Sequence, residues 1–288
     1  MQEPGNDQMK NPFISWFGRS QRDRQRLASE LAGLRASLAG HQLAIEELQV
    51  SLRKQRENSA IFEKAFRVSG FIGDYIEFGS YLGGSLIQAY FASRRVLDEL
   101  ASGCWDHAFD DKKSVLSGFQ RSWDEMRFIS FDSFQGMPEP GAVDAVYRVF
   151  PKGSYACSEE EFRANVRKYG IPDEKVVSVP GFFRDTLNDD MARSLGLRQL
   201  SIIHIDSDLY ESARDALRFC TPFLCDGTIL VFDEWFQFRG NPSLGEQRAF
   251  REWSSRHPEW VATSFQKEGA YRNSFILSKS HWNMSREE

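Results

Sequence analysis

The feature that most constrains the fold is an alternation, from about residue 67 onward, of short apolar runs with longer helical stretches. Each apolar run ends near Gly or an acidic residue, and the candidate strands are 75–78, 127–131, 176–180, 200–205 and 228–232. This alternation is typical of a parallel sheet covered by helices on both faces. Two later runs, 260–265 and 274–277, are joined through Gly269 and predict an antiparallel hairpin. We therefore expect a Rossmann-like, doubly wound α/β fold, which binds ligands beyond the carboxyl ends of its strands.

Before this alternation, apolar residues recur at spacings of four and three, with His41 at one core position: Leu27, Leu31, Leu34, Leu38, Ile45, Leu48 and Leu52. These heptads predict a coiled-coil helix and a homo-oligomer; the alternative is an amphipathic helix folded back onto its own domain. The first 20 residues mix Pro, Gly and Asn without periodicity, which is typical of disorder. The expected organisation is a disordered N-terminus (1–20), a coiled-coil helix (21–60) and one α/β domain (61–288).

Charge and composition limit the partners that we expect. The net charge is -5, which favours neither nucleic acid nor an anionic membrane surface. No apolar run approaches the roughly 20 residues that span a bilayer, and the N-terminus lacks the order of a signal peptide. The four cysteines match neither a metal knuckle nor a disulfide framework. We expect a cytoplasmic protein with reduced thiols.

A glycine-rich turn follows the first candidate strand, with Glu77 just before Gly79 and with Gly83 at the start of the next helix. Backbone amides there would suit the carboxylate of S-adenosylmethionine, and Glu77 would suit its positive charge. Such a turn is weak evidence alone, because it is common in α/β proteins. The second strand ends at Asp132, which is either an acceptor for a ribose diol or a local cap.

Carboxylates follow the next two strands of the predicted sheet. Asp206 and Asp208 come directly after one strand, and Asp233 and Glu234 follow the other. If these strands are neighbours, the acids converge, and Mg²⁺ would relieve their repulsion. The alternative is that they cap the following helices, as Asp208 could do. With an ion bound, Asp208 is a candidate general base, whereas His204 is more typical of a buried structural histidine.

The motifs together resemble the macrocin O-methyltransferase (TylF-like) family over roughly residues 70–277. The resemblance is carried by five blocks: GDYIEFGSYLGGS at 73–85, FDSFQGMPEP at 131–140, PGFFRDTL at 180–187, IDSDLYES at 205–212 and VFDEW at 231–235. The blocks at 131–140 and 205–212 are far more specific to this family than the glycine turn.

The resemblance implies a Mg²⁺-assisted, S-adenosylmethionine-dependent O-methyltransferase that acts on a hydroxyl of a sugar or glycoside. It implies a cofactor site formed by Glu77, Gly79, Ser80, Gly83, Ser85, Asp132 and Ser133. The metal ligands would be Asp206, Asp233 and Glu234, and the catalytic residues Asp206 and Asp208.

The chain departs from the family in three places. Glu234 replaces the usual second Asp of a pair, and its longer arm could shift the ion. The link from Ala92 to Met126 is longer than expected and suggests a lid or insertion, and the heptad segment lies outside the family core.

Two other functions compete with methyl transfer. The Asp-Ser-Asp run at 206–208 is similar to the DxD element of metal-dependent glycosyltransferases, but the glycine turn at 79–85 has no role in that hypothesis. The second is a non-catalytic S-adenosylmethionine-binding scaffold, against which the retention of all four acids argues.

Overall fold

A computed structural model describes residues 12–103, 111–146 and 150–280. The chain divides near residue 54 into two compact units. The first unit contains the N-terminal part of helix α1 (Pro12–Ser69), which begins nine residues before the segment expected to form the coiled coil. The heptad leucines described there are 52% to 68% exposed, so these side chains face largely away from the other described residues of the unit.

The second unit is built on a seven-stranded sheet with the order β3-β2-β1-β4-β5-β7-β6. The strands are β1 (Asp74–Phe78), β2 (Phe128–Asp132), β3 (Val176–Pro180), β4 (Leu200–Ile205), β5 (Ile229–Phe232), β6 (Trp260–Glu268) and β7 (Arg272–Lys279). The first five are parallel, and β7 pairs antiparallel with both β5 and β6. The predicted Rossmann-like sheet and its C-terminal hairpin are confirmed.

The helices after α1 are α2 (Gly84–Ala101), α3 (Lys112–Glu125), α4 (Glu159–Lys168), α5 (Phe183–Thr186), α6 (Asp189–Leu195), α7 (Tyr210–Cys220) and α8 (Gly245–Arg256). The long link between β1 and β2 therefore consists largely of α2 and α3. Its residues Trp105, His107 and Asp110 lie outside the described part of the chain, as do Tyr147 and Arg148.

Alternate residues of each strand enter two separate cores, one on each face of the sheet, because side chains of a strand point to opposite sides. One core contains Ile76, Ile203 and Leu230, against which α7 and α8 pack. The other contains Tyr75 and Val231 together with residues of α2 and α4. Burial on both faces explains why these strands are near-continuous apolar runs.

The C-terminal end of α1 belongs to the second core. Ile61, Phe62, Ala65 and Phe66 are fully buried there. Phe62 lies edge-on to the His204 ring, with 5.5 Å between the ring centroids. In the described ranges, no helix combines the length and apolarity needed to cross a bilayer.

Candidate active site at the carboxyl edge of the sheet

The glycine turn after β1 lies directly against the end of β4. Gly79 has a φ of 89°, and a Cβ atom there would lie 1.9 Å from the carbonyl oxygen of Asp206. The Asp206 N–H also donates to the carbonyl of Phe78 over 2.9 Å. Gly83, with a φ of 78°, precedes α2, and a Cβ there would meet the Phe162 ring at 2.8 Å. Both glycines are therefore required by packing within the chain, which brings the predicted cofactor turn beside the carboxylates.

Glu77 is fully buried beneath this turn. One of its oxygens accepts a hydrogen bond from Ser85 Oγ at 2.6 Å, and the other accepts from Tyr75 Oη at 2.5 Å. His204 Nδ1 is 3.6 Å from the second oxygen. Glu77 thus holds the first turn of α2 through Ser85.

Asp132 connects the two strand-end turns on the cofactor side. Its Oδ2 accepts hydrogen bonds from the backbone N–H groups of Ser80 and Tyr81, at 2.8 and 2.9 Å, and its Oδ1 accepts from Phe134 at 2.8 Å. A carboxylate offers about four lone-pair positions, so roughly one remains for a ligand.

The two serines predicted beside Asp132 also bond within the chain. Ser80 Oγ accepts from Ser130 Oγ at 2.8 Å, and Ser133 Oγ donates to the carbonyl of Gly136 at 2.7 Å.

The predicted acids meet at the ends of β4 and β5, which are neighbouring strands. Ligand atoms of Asp206, Asp233 and His204 all lie within 4.8 Å of one another. His204 thus completes this close set, of which Glu234 is not a member. Asp208 is two residues further along, in a left-handed conformation with φ of 60°.

Glu234 and Glu246 form a second, buried pair of carboxylates at this edge. The Glu234 N–H donates to Glu246 Oε2 at 3.0 Å. Among the described residues, Glu234 Oε2 and Glu246 Oε1 are both buried without a hydrogen-bond partner. Orphaned carboxylate oxygens beside other acids are what a bound cation would satisfy.

Arg272 on β7 contacts one oxygen of Asp233, with Nε to Oδ1 at 2.6 Å. His204 Nε2 is 3.5 Å from the same oxygen. Burial opposes protonation of His204, but hydrogen bonds to Asp233 and Glu77 raise its pKa to about 9. Burial raises the pKa of Asp233, but His204 and Arg272 outweigh that effect and hold the pKa below its ordinary value.

The pKa values of Asp206, Asp208 and Glu234 are raised rather than lowered. Burial and the charge of Asp233 raise the pKa of Asp208 to about 7 and place that of Asp206 well above its ordinary value. Burial, Asp206 and Asp233 likewise raise the pKa of Glu234. A cation would relieve this repulsion and satisfy the orphaned oxygen of Glu234. The residues whose ligand atoms lie close enough together to share an ion are Asp206, Asp233 and His204, whereas Glu234 lies outside that set.

Sequence reasoning missed Arg272 and Glu246 as parts of this site. Arg272 lies 39 residues from Asp233, and only the antiparallel pairing of β7 with β5 brings the two together. The acidic first turn of α8 was a signal for Glu246, but its burial depends on tertiary packing. Asp208 does not cap α7, because the residue before that helix is Leu209. The N–H of Tyr210, the first residue of α7, donates instead to the carboxylate of Asp144.

The fold and the order of its strands match the Rossmann-like fold seen in solved O-methyltransferases. The O-methyltransferase NovP has a similar structure, with a TM-score of 0.55 and 22% identity over 79% of this chain and 80% of that one. A calicheamicin methyltransferase gives a TM-score of 0.57 and 20% identity over 78% and 80%.

A profile of the macrocin O-methyltransferase (TylF) family matches residues 115–254, so the resemblance predicted from the motifs is confirmed. A Streptomyces olivaceus 4'-O-methyltransferase of 8-demethyl-8-(2,3-dimethoxy-alpha-L-rhamnosyl)-tetracenomycin-C is 39% identical over 109 residues. Demethyldecarbamoylnovobiocin O-methyltransferase of Streptomyces niveus is 37% identical over 109 residues. Each alignment covers 36% of this chain and 40% of the relative.

Proposed function

We propose that the protein is an S-adenosylmethionine-dependent, Mg²⁺-assisted O-methyltransferase that acts on a hydroxyl of a sugar or glycoside. The observation that carries this proposal is the contact between Gly79 and Asp206. It joins the turn suited to a methyl donor directly to the acids suited to a metal-bound acceptor.

The first turn of α2 is the proposed binding site for the methionine carboxylate of the cofactor. In the described part of the chain, nothing lies within 4 Å of a Cβ built on Gly84, the first residue of α2. The N-terminus of an α-helix attracts anions through its free N–H groups and its dipole. Glu77 would fix this turn through Ser85, and the remaining lone pair of Asp132 would accept a ribose hydroxyl.

Asp206, Asp233 and Glu234 would hold the metal ion. A bound Mg²⁺ lowers the pKa of a coordinated hydroxyl and so eases its deprotonation. Arg272 contacts Oδ1 of Asp233 and would hold this carboxylate in place for that role.

Asp208 is the proposed general base. A carboxylate with a pKa of about 7 is well matched to accept a proton near neutral pH. Asp208 would take the proton of the acceptor hydroxyl as that oxygen forms its bond to the methyl carbon. The methyl group would come from the sulfonium of S-adenosylmethionine, with S-adenosylhomocysteine as the leaving group.

The acceptor class rests on the relatives. One matched Streptomyces enzyme is named for methylation of a rhamnosyl tetracenomycin, and the other for methylation of demethyldecarbamoylnovobiocin. The match to this chain includes the acid-bearing strand ends, so we assign a sugar or glycoside hydroxyl to the same position here.

The test is a methyl-transfer assay with labelled S-adenosylmethionine and a panel of nucleotide-linked deoxysugars and glycosides, with Mg²⁺ or with EDTA. We expect product only with metal, and we expect loss of product in Asp208→Asn with unchanged cofactor binding. Cofactor binding without turnover on a broad panel would favour the scaffold hypothesis. Metal-dependent hydrolysis of a nucleotide sugar without cofactor binding would favour the glycosyltransferase.

We further propose that α1 forms a homo-oligomeric coiled coil. Its exposed leucines keep heptad spacing, and Glu30 and Arg35 occupy flanking positions that pair between parallel helices. Leu34→Lys should reduce the mass measured by light scattering to that of a monomer. Ala36→Lys, on the opposite face, is the matched control and should leave the assembly intact; an unchanged mass in both variants would contradict the coiled coil.

A cytoplasmic location is part of the same proposal. The described cysteines 157, 220 and 225 are free, as expected in a reducing compartment.

A further inference from the structure

Asp144 is a buried carboxylate that binds the N-termini of two helices at once. Only 2% of the residue is exposed. Its Oδ2 accepts a hydrogen bond from the N–H of Tyr210 at 2.6 Å, and its Oδ1 accepts from the N–H of Gly245 at 3.0 Å. Tyr210 and Gly245 are the first residues of α7 and α8. One side chain from the loop after β2 therefore joins both helices.

These two helices carry no cap of their own. The residues before them are Leu209 and Leu244, whose side chains cannot accept a hydrogen bond. Helix N-termini expose unpaired N–H groups and favour a negative charge. Asp144 supplies one acceptor to each helix, so its carboxylate links the start of α7 to the start of α8.

The two bonds lie next to the proposed base and a proposed metal ligand. Asp208 is two residues before Tyr210, and the intervening Leu209 N–H donates to the carbonyl of Ser207 at 2.6 Å. A Cβ on Gly245 would lie 3.5 Å from the carbonyl oxygen of Asp208. The residue after Gly245 is Glu246, whose carboxylate accepts the N–H of Glu234.

We propose that Asp144 is a positioning residue that sets the separation between Asp208 and Glu234 by fixing α7 against α8. This inference rests on the proposed function, because it acts through the proposed base and metal ligand. The loop of Asp144 also packs over α7, where a Cβ on Gly141 would meet the Glu211 carboxylate at 2.4 Å. Met137 and Phe150 pack with Leu209 and Phe238 in a small apolar cluster beside it.

The test compares Asp144→Ala and Asp144→Asn with the unchanged full-length protein. Asp144→Ala should lower kcat about 100-fold, the effect of moving a reacting group by about 1 Å, while the KM for S-adenosylmethionine changes little. Mn²⁺ affinity, measured by electron paramagnetic resonance, should fall about tenfold, as expected for a group that orients a ligand. Asp144→Asn keeps one acceptor and should give intermediate values.

Two further variants separate positioning from a cap that only stabilises. Asn188→Ala removes the hydrogen bond that the Met191 N–H donates to Asn188 Oδ1 at the start of α6. Because α6 carries none of the candidate-site carboxylates, this variant should lower Tm without changing kcat. Leu244→Ser, added to Asp144→Ala, supplies α8 with a local cap and should recover Tm but not kcat or Mn²⁺ affinity. Leu244→Ser alone is the control for the lost leucine.

Recovery of kcat together with Tm in the double variant would overturn the proposal, as would unchanged Mn²⁺ affinity in Asp144→Ala. If the unchanged protein transfers no methyl group, the proposed function fails separately. Mn²⁺ affinity and hydrogen exchange of residues 137–146 then still test Asp144: we expect faster exchange there in Asp144→Ala, and unchanged exchange would overturn the inference.

Discussion

Replacing Gly79 with Ala should separate the glycine turn from the carboxylates. The new Cβ would lie 1.9 Å from the carbonyl oxygen of Asp206, whereas ordinary contacts begin at 3.4 Å, so the two backbones must move apart by about 1.5 Å. The φ of 89° adds about 1 to 2 kcal/mol for a residue with a Cβ, and overpacking adds about 1 to 3 kcal/mol. We expect a loss of roughly 2 to 5 kcal/mol in unfolding free energy.

Thermal unfolding and steady-state kinetics measure the two consequences. Tm should fall by roughly 2 to 4 °C for each kcal/mol lost in a domain of this size. In the folded fraction, kcat should fall about 100-fold or more, because the acids shift by over 1 Å relative to the cofactor.

Gly84→Ala is the matched control for Gly79→Ala. A Cβ on Gly84 meets nothing within 4 Å among the described residues, so the fold should be unchanged or slightly stabilised. The added methyl group would instead enter the space assigned to the cofactor, and the Kd for S-adenosylmethionine should rise. Equal stability of the two variants, or a stable Gly79→Ala enzyme with full kcat, would refute the reasoning.

Three other predictions concern the acids. Asp208→Asn should reduce kcat at least 100-fold while calorimetry shows an unchanged Kd for the cofactor, since a base of this kind contributes about 10²- to 10⁴-fold; a loss below tenfold would exclude it as the base. Because the pKa of Asp208 is raised from 3.8 to about 7, its contribution to metal-free stability is complete below pH 4 and is lost as pH rises through 7. The increase in Tm caused by Mg²⁺ should therefore be larger at pH 8 than at pH 6, and an equal increase at both would argue against binding at these acids. Asp132→Ala should weaken cofactor binding and speed hydrogen exchange at Ser80 and Tyr81, because their N–H groups lose the carboxylate that accepts them. Weaker cofactor binding without faster exchange would contradict the role of Asp132 in holding the turn.

The strands were predictable because their apolar runs are continuous and end at turn residues. The acids at 206 and 233 could be placed at one edge because parallel neighbouring strands end together. Periodicity also indicated a long N-terminal helix, but its last turns form part of the core around Phe62 rather than a separate segment.

The parts that could not be predicted depend on contacts between distant residues. Arg272 reaches Asp233 only through the β5–β7 pairing, and Asp144 caps helices that begin 66 and 101 residues away. The chemistry of Glu77 was also assigned only by type. The structure shows that Glu77 accepts hydrogen bonds from Tyr75 and Ser85, which its residue type alone does not predict.

The most direct test of the proposed function is isothermal titration of the full-length protein with S-adenosylmethionine after chelation, followed by titration of Mn²⁺ into the cofactor complex. We expect micromolar cofactor binding with one site per chain. We also expect one Mn²⁺ per chain, lost in Asp206→Asn while cofactor binding persists. Absence of cofactor binding under either condition would contradict the methyltransferase assignment, and cofactor binding with no Mn²⁺ site would contradict the role of the metal.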